Sequence, residues 1–318
     1  MHFEIFHLTK FQYSDFVTES VMELRMQPLN DDFQSCDAFS IRLKPSARIF
    51  EFTDQFGNTV QHFDIPEKHT ELEIITDSKV EVFGREPLPE SLPLTAWDEL
   101  EKAISEGDFW EFLLPSQFAQ STPALEKLKN EIGATREKDA LTLLKEINSF
   151  FKANFAYSPE TTSVDSPIDL AIENRGGVCQ DFANIMIALV RELKIPCRYV
   201  SGYLFHRTDD RSHIAQDATH AWVEAFLPNL GWIGFDPTND LIVGDRHIAV
   251  AVGRDYADIP PTRGVFKGKV ESQLSVAVRV RQAETGEEES SELHAVKRKG
   301  FTVISKPVVQ ESQQQQQQ

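Results

Sequence analysis

The sequence predicts an α+β protein: a β-sandwich-like N-terminal region, followed by helices packed on an antiparallel sheet. Three observations predict it. Apolar and polar residues alternate through roughly the first 85 positions, the period of half-buried strands. Two later stretches change to helical spacing. A hairpin signal then follows the second of them. The 318 residues leave room for about two domains.

The elements follow in order. Met22, Leu24 and Met26 alternate with polar neighbours, as do Phe39, Ile41 and Leu43, and then Val80 and Val82. Phe56-Gly57-Asn58 supplies a turn, and Pro28 and Pro45 close other segments. Arg85-Glu86-Pro87-Leu88-Pro89 marks a boundary, so residues 1–85 are expected as one β-rich domain. Ala140, Leu143, Leu144, Ile147, Phe150 and Phe151 fall on one helical face, with Thr135 as the expected N-cap and Tyr157-Ser158-Pro159 as the stop. A polar loop over 160–178 ends in Arg175-Gly176-Gly177. Phe182, Ile185, Met186, Leu189, Val190 and Leu193 then form a second apolar stripe, closed by Pro196. Strand-like runs follow over Cys197–Phe205, His220–Phe226 and Trp232–Asp236, the last two flanking Pro228-Asn229-Leu230-Gly231. Leu274–Val280 is a final strand, which sets 86–282 as the second domain. Residues 283–318 are polar, end in six glutamines and are expected to be a disordered tail.

Composition bounds the function. Acidic residues outnumber basic ones 50 to 32, for a formal charge of −18. Such a chain repels phosphate backbones, so no nucleic-acid partner is expected. Only Cys36, Cys179 and Cys197 occur, which is no disulfide framework and fits a reducing compartment. Neither a leader nor an apolar run long enough to span a bilayer is visible, so no membrane association is expected and a cytoplasmic location is.

Cys179 is the first chemical candidate. It opens a helix, where unpaired N–H groups and the positive end of the macrodipole favour thiolate over thiol. The preceding glycines allow a sharp turn and leave room for a substrate chain. His220 begins an apolar strand, where it can serve as general base. Asp236 stands 16 residues later on the partner strand of the hairpin. Centred on Pro228, the hairpin would set positions 220 and 236 opposite each other, within reach of an imidazole–carboxylate hydrogen bond. Tyr157 is a candidate oxyanion donor alongside the Cys179 backbone N–H, with capping of the core as its plainer role. Trp222 and Trp232 are candidates for a substrate groove, with core packing as the alternative. Asp181 is expected to bond backbone groups behind the site. His206, His213 and His220 recur every seven residues, but no cysteine or carboxylate spacing there suits zinc, so no metal and no cofactor is expected. Cys36 and Cys197 are expected to be packing residues.

Four separated blocks carry a resemblance: Arg175-Gly176-Gly177-Val178-Cys179-Gln180-Asp181-Phe182-Ala183, Ile195 to Tyr203, His220-Ala221-Trp222-Val223-Glu224, and Trp232-Ile233-Gly234-Phe235-Asp236-Pro237-Thr238. In this order they resemble the core of the transglutaminase-like superfamily over about residues 140–245. The first 85 residues resemble the β-rich region preceding that core in bacterial members, and His247 to Gly268 resembles the part that follows it. The resemblance implies a papain-like, transglutaminase-like core and makes Cys179, His220 and Asp236 nucleophile, base and orienting acid. Animal transglutaminases add calcium and further β-sandwich domains, for which this chain shows no EF-hand-like loop and no length. The resulting expectation is a cysteine-dependent acyl-transfer enzyme acting on peptide, isopeptide or carboxamide bonds of a peptide or protein substrate. It forms a thioester, with hydrolysis favoured over cross-linking. Two alternatives stay open: an acyl transferase similar to arylamine N-acetyltransferases, and a non-catalytic peptide-binding or assembly module.

Overall fold

The computed structural model describes residues 1–206 and 219–283, and the backbone of 304–308. The chain begins with β1 (His2–Val17), β2 (Ser20–Leu24), β3 (Gln34–Lys44), β4 (Phe50–Thr53), β5 (Thr59–Ile65) and β6 (His69–Val82). In β1, Phe3, Ile5, His7 and Thr9 are buried at every second position, the alternation of a strand with one inward face. Helices follow: α1 (Ala96–Glu106), a 3-10 turn at Trp110–Phe112, α2 (Pro123–Ile132) and α3 (Ala140–Asn154). The short β7 (Ala156–Tyr157), α4 (Ile168–Asn174) and β8 (Gly176–Gly177) lead into α5 (Cys179–Glu192). The remaining strands are β9 (Cys197–Leu204), β10 (Thr219–Leu227), β11 (Gly231–Asp236), β12 (Leu241–Ile242), β13 (His247–Gly253), β14 (Thr262–Phe266), β15 (Ser272–Gln282) and β16 (Ile304–Val308).

The N-terminal half is two facing sheets, ordered β16-β15-β1-β6-β3 and β14-β2-β5-β4. Tyr13, Leu72 and Ile74 from one meet Met22, Leu24, Phe63 and Ile65 from the other in a common core. Three strands of this sandwich, β14, β15 and β16, come from far along the chain. Phe3 pairs with Gln282 and Met22 with Gly264. The expected boundary at residue 282 is therefore corrected. The chain leaves the sandwich after β6, builds the second half, and returns with β14 and β15. The expected tail is corrected in part as well, since β16 pairs with β15, Ser272 opposite Val308. An open strand edge takes a partner through main-chain hydrogen bonds, which composition does not reveal. Residues 284–303 and 309–318 lie outside the described residues.

The second half packs α5 against the sheet β12-β11-β10-β9-β13. Every residue of α5 from Asp181 to Arg191 is buried, among the helices on one side and β9 and β10 on the other. The cap of α3 differs from expectation. Asp139, not Thr135, accepts from the Thr142 N–H at 3.1 Å, because it stands directly before the first helical residue.

The halves share an interface. Phe3, Ile5, Val80 and Val82 pack with Tyr203, Ile248 and Val250. The outer edge of β13 meets two side-chain amides instead of another strand. Gln34 donates to the Ala249 carbonyl at 2.8 Å and accepts from its N–H at 2.7 Å. Asn58 does the same at Val252, at 2.8 Å in both directions. The Leu29 N–H adds a bond to the Ala249 carbonyl at 3.0 Å.

Candidate active site

Cys179 is the first residue of α5 and is partly exposed. The turn that delivers it differs from the expected glycine turn. Arg175 takes the left-handed conformation, at φ 50°, whereas Gly176 and Gly177 form an extended pair beside Ala156 and Tyr157. Gly177 is required for a different reason: a Cβ there would lie 2.6 Å from the Asp181 carboxylate. That carboxylate accepts from the Val178 N–H at 2.8 Å and from the Thr162 hydroxyl at 2.6 Å, as expected of a group that holds the helix start. The Ala156 N–H donates to the Arg175 carbonyl and the Ser158 N–H to the Gly177 carbonyl, each at 2.8 Å. Tyr157 thus stands opposite Gly177, two residues before Cys179.

His220 Nε2 donates to Asp236 Oδ2 at 2.8 Å. The hairpin register differs from the expected one by two residues. Val223 faces Phe235 and Leu227 faces Gly231, so Asp236 stands opposite Trp222 and diagonal to His220. The reason is the turn: Asn229 and Gly231 both have positive φ, 63° and 74°, which centres the hairpin on Asn229. Diagonal neighbours on one face remain within reach of long side chains.

Both partners of this bond are buried, Asp236 completely. Burial opposes charge on His220. The Asp236 carboxylate and the hydrogen-bonded Cys179 sulfur outweigh it and push the imidazole up to about 10. Burial likewise opposes charge on Asp236, and His220 and then His247 hold its carboxyl well below the usual range. With Nε2 committed to Asp236, Nδ1 is the nitrogen left for Cys179.

Two residues that sequence reasoning missed complete the carboxylate's surroundings. Asn239 donates to Asp236 Oδ2 from its side chain at 2.8 Å and to Oδ1 from its backbone at 3.2 Å. His247 Nε2 lies 3.3 Å from Oδ2. The one signal for His247 was its place at the head of the otherwise apolar run Ile248-Ala249-Val250-Ala251-Val252. His220, Asp236 and His247 are metal-ligating residue types whose ligand atoms lie within 4.8 Å of one another. Both histidine nitrogens are spent on the carboxylate, however, and the set forms a closed hydrogen-bonded cluster. Within the series His206, His213 and His220, His213 lies outside the described residues.

The two tryptophans have different surroundings: Trp222 is buried and Trp232 is partly exposed. Trp222 is 1% exposed and packs edge-on against His247, with ring centroids 5.3 Å apart. Trp232 stands at the opposite end of β11 from Asp236, among Phe109, Phe112 and Phe226, with Arg198 over its face. Trp222 is a core residue because a layer from later in the chain covers it, and large aromatic side chains fill such a core. Cys197 is buried, and burial pushes its thiol up to about 11. Cys36 is partly exposed on β3.

A partly exposed cysteine at a helix start, hydrogen-bonded to an imidazole that in turn bonds a buried carboxylate, is the arrangement found in papain-like and transglutaminase-like folds. Residues 126–237 match the transglutaminase-like superfamily, and residues 3–81 match the bacterial transglutaminase-like N-terminal region. An uncharacterized protein of Mycobacterium leprae is 31% identical over 277 residues, covering 87% of this chain and 97% of its own length. One of Mycobacterium tuberculosis is 34% identical over 292 residues, covering 87% and 92%. This chain belongs to the transglutaminase-like superfamily. A solved structure from Cytophaga hutchinsonii, described as a candidate cysteine protease, shares the fold with a TM-score of 0.68. It is 23% identical and covers 92% of this chain and 95% of its own. A protein-glutamine gamma-glutamyltransferase of Pseudomonas aeruginosa is 25% identical over 210 residues, which are 63% of this chain and 30% of that protein.

Proposed function

We propose that the chain is a cysteine-dependent acyl-transfer enzyme, with Cys179 as nucleophile, His220 as base and acid, and Asp236 as the orienting carboxylate. The observation that carries this reading is the buried His220–Asp236 bond of 2.8 Å, with Cys179 hydrogen-bonded to the same imidazole. A protonated His220 hydrogen-bonded to the Cys179 sulfur is the arrangement in which a cysteine reacts as its thiolate.

The Cys179 thiolate attacks an amide carbonyl carbon. A C–S bond forms and the carbonyl π electrons move to oxygen. The Cys179 N–H at the helix start, and in this reading the Tyr157 hydroxyl, donate to that oxyanion. Its collapse breaks the C–N bond while His220 gives the departing amine a proton. Asp236 keeps the imidazolium oriented and stabilised through the step. A thioester remains on Cys179. Water then attacks it as His220 takes a proton, and the C–S bond breaks to release acid and restore the thiolate. The substrate class is a peptide, isopeptide or side-chain carboxamide. Water is the proposed acceptor, and an amine in its place would give the cross-linking outcome named for the Pseudomonas relative.

The test compares peptide products of wild type and Cys179→Ala in a protein digest, with hydroxylamine added to trap any thioester. New carboxyl ends that depend on Cys179 are expected, together with hydroxamates in the trap. Identical products from wild type and Cys179→Ala would overturn the reading. Cross-linked or amidated products without hydrolysis would replace water with an amine as acceptor.

A further inference from the structure

Asp236 serves two histidines, and the acyl-transfer reading uses only one. The carboxylate is wholly buried and receives five donors. Oδ1 accepts from the backbone N–H groups of Thr238 at 3.1 Å and Asn239 at 3.2 Å. Oδ2 accepts from His220 and the Asn239 side chain at 2.8 Å each, and from His247 at 3.3 Å. Oδ1 is therefore pinned by main chain, whereas the direction of Oδ2, which faces the proposed base, is set by side chains.

His247 is itself fixed. Its Nδ1 accepts from the Gly244 N–H at 3.4 Å, which leaves the proton on Nε2, aimed at Asp236. The Trp222 ring packs against it at 77°. It reaches Asp236 although β9 and β10 separate β13 from β11. The intervening position on β9 is Gly202, where a Cβ would lie 2.1 Å from the Ile248 carbonyl of β13 and 2.7 Å from the Trp222 ring, so a side chain there would collide with both. The charged groups facing His247 are Asp236 on β11, His220 on β10 and Arg246 beside it in the chain. Burial above all, with His220 and Arg246 adding to it, keeps the ring neutral against the pull of Asp236. A neutral donor can hold the carboxylate without competing for its charge.

We infer that His247 is a positioning residue for the proposed Cys179–His220 pair: its Nε2–H holds Asp236 Oδ2 toward His220, and it touches neither substrate nor the reacting atoms. The inference rests on the acyl-transfer reading and adds a fourth side chain to it. Without this donor, Oδ2 loses one of its three anchors and the imidazolium loses a fixed partner. The thiolate on Cys179 is then less favoured.

The experiment measures alkylation of Cys179 by iodoacetamide between pH 5 and 9 on the full chain, with the site assigned by mass spectrometry. His247→Phe keeps a ring but no donor. His247→Gln returns an N–H near the Nε2 position. His247→Phe is expected to slow alkylation at pH 6 at least threefold, and His247→Gln to stay within twofold of wild type. Rescue by Gln separates positioning from general packing. A wild-type rate in His247→Phe, or equal slowing in both variants, overturns the inference. Asp236→Asn in parallel keeps the two readings apart: if it alkylates at the wild-type rate, the triad has failed, whereas slowing in Asp236→Asn alone removes only His247. If His247→Phe does not fold, ring-nitrogen NMR of the wild type decides. A neutral Nε2–H tautomer for His247 is expected, and an Nδ1–H tautomer overturns the inference.

Discussion

Replacing Gly177 by Ala inserts one methyl group at a crowded point of the turn that leads to Cys179. The new Cβ would stand 2.6 Å from Asp181 Oδ2, 2.9 Å from its Cβ and 3.0 Å from its Cγ. Carbon atoms pack at about 3.5–4.0 Å, so Asp181 must retreat by more than half an ångström. Its Cβ moves only with the first turn of α5, which also carries Cys179. Such overpacking costs about 1–3 kcal/mol. Losing the bond from the Val178 N–H adds about 1 kcal/mol, the usual value of a helix cap. The sum, about 2–4 kcal/mol, corresponds to a melting temperature lowered by about 3–6 °C in a chain of this size. A displacement of this order at a nucleophile also costs about tenfold or more in rate. Gly176→Ala is the control, because its Cβ would meet nothing closer than the Thr161 hydroxyl at 3.3 Å. Calorimetry and turnover of the pair measure both effects. Gly177→Ala melting within 1 °C of wild type with unchanged turnover would refute the account of why glycine stands there.

Other expectations follow from the same geometry. Burial pushes His7 down to about 3, so the unfolded chain binds its proton near the ordinary value of about 6.5 while the folded chain does not, and stability falls as pH drops between them. Urea midpoints at pH 7 and 5 should therefore diverge less in His7→Phe than in wild type, and equal slopes would refute the assignment. His220 has the opposite sign. Its raised pKa gives stability that is full below about pH 6.5 and lost as pH rises through about 10. That alkaline loss should shrink in His220→Gln when both proteins are unfolded by urea from pH 7 to 10. Arg191 donates to the carbonyls of Phe112, Leu114, Cys197 and Arg254 and to the Ser116 hydroxyl. Arg191→Met should lose about 3 kcal/mol or more in denaturant titrations, since buried acceptors are left unpaired, and Arg191→Lys, lacking the planar fork, should recover little of it.

Local patterns carried what the sequence revealed. The stripe from Phe182 to Leu193 is α5, and the runs around His220 and Trp232 are the paired strands β10 and β11. The features that escaped depend on contacts between distant residues. Nothing near Gly264 or Ala277 announces that these segments pair with Met22 and Leu8, because strand pairing is indifferent to sequence separation. The two-residue difference in hairpin register came from Asn229, a non-glycine residue with positive φ. Trp222 reads the same whether it faces a groove or a covering layer. Its burial was settled by His247 and Val243, which pack on it from later in the chain. Asn239 and His247 were invisible as partners of Asp236 for the same reason.

The amides of Gln34 and Asn58 give the two halves a shared inheritance. Each completes both hydrogen bonds that a neighbouring strand would have made with β13, yet neither offers a second edge for another strand to join. They end the sheet as well as cover it. A second half severed near residue 85 would expose Ala249 and Val252 as an open template, the kind of edge along which chains polymerise. The N-terminal half therefore acts as a terminator for the sheet that carries His220 and Asp236. Gene fusion or recombination that separated them would have to supply another cap at the same two positions.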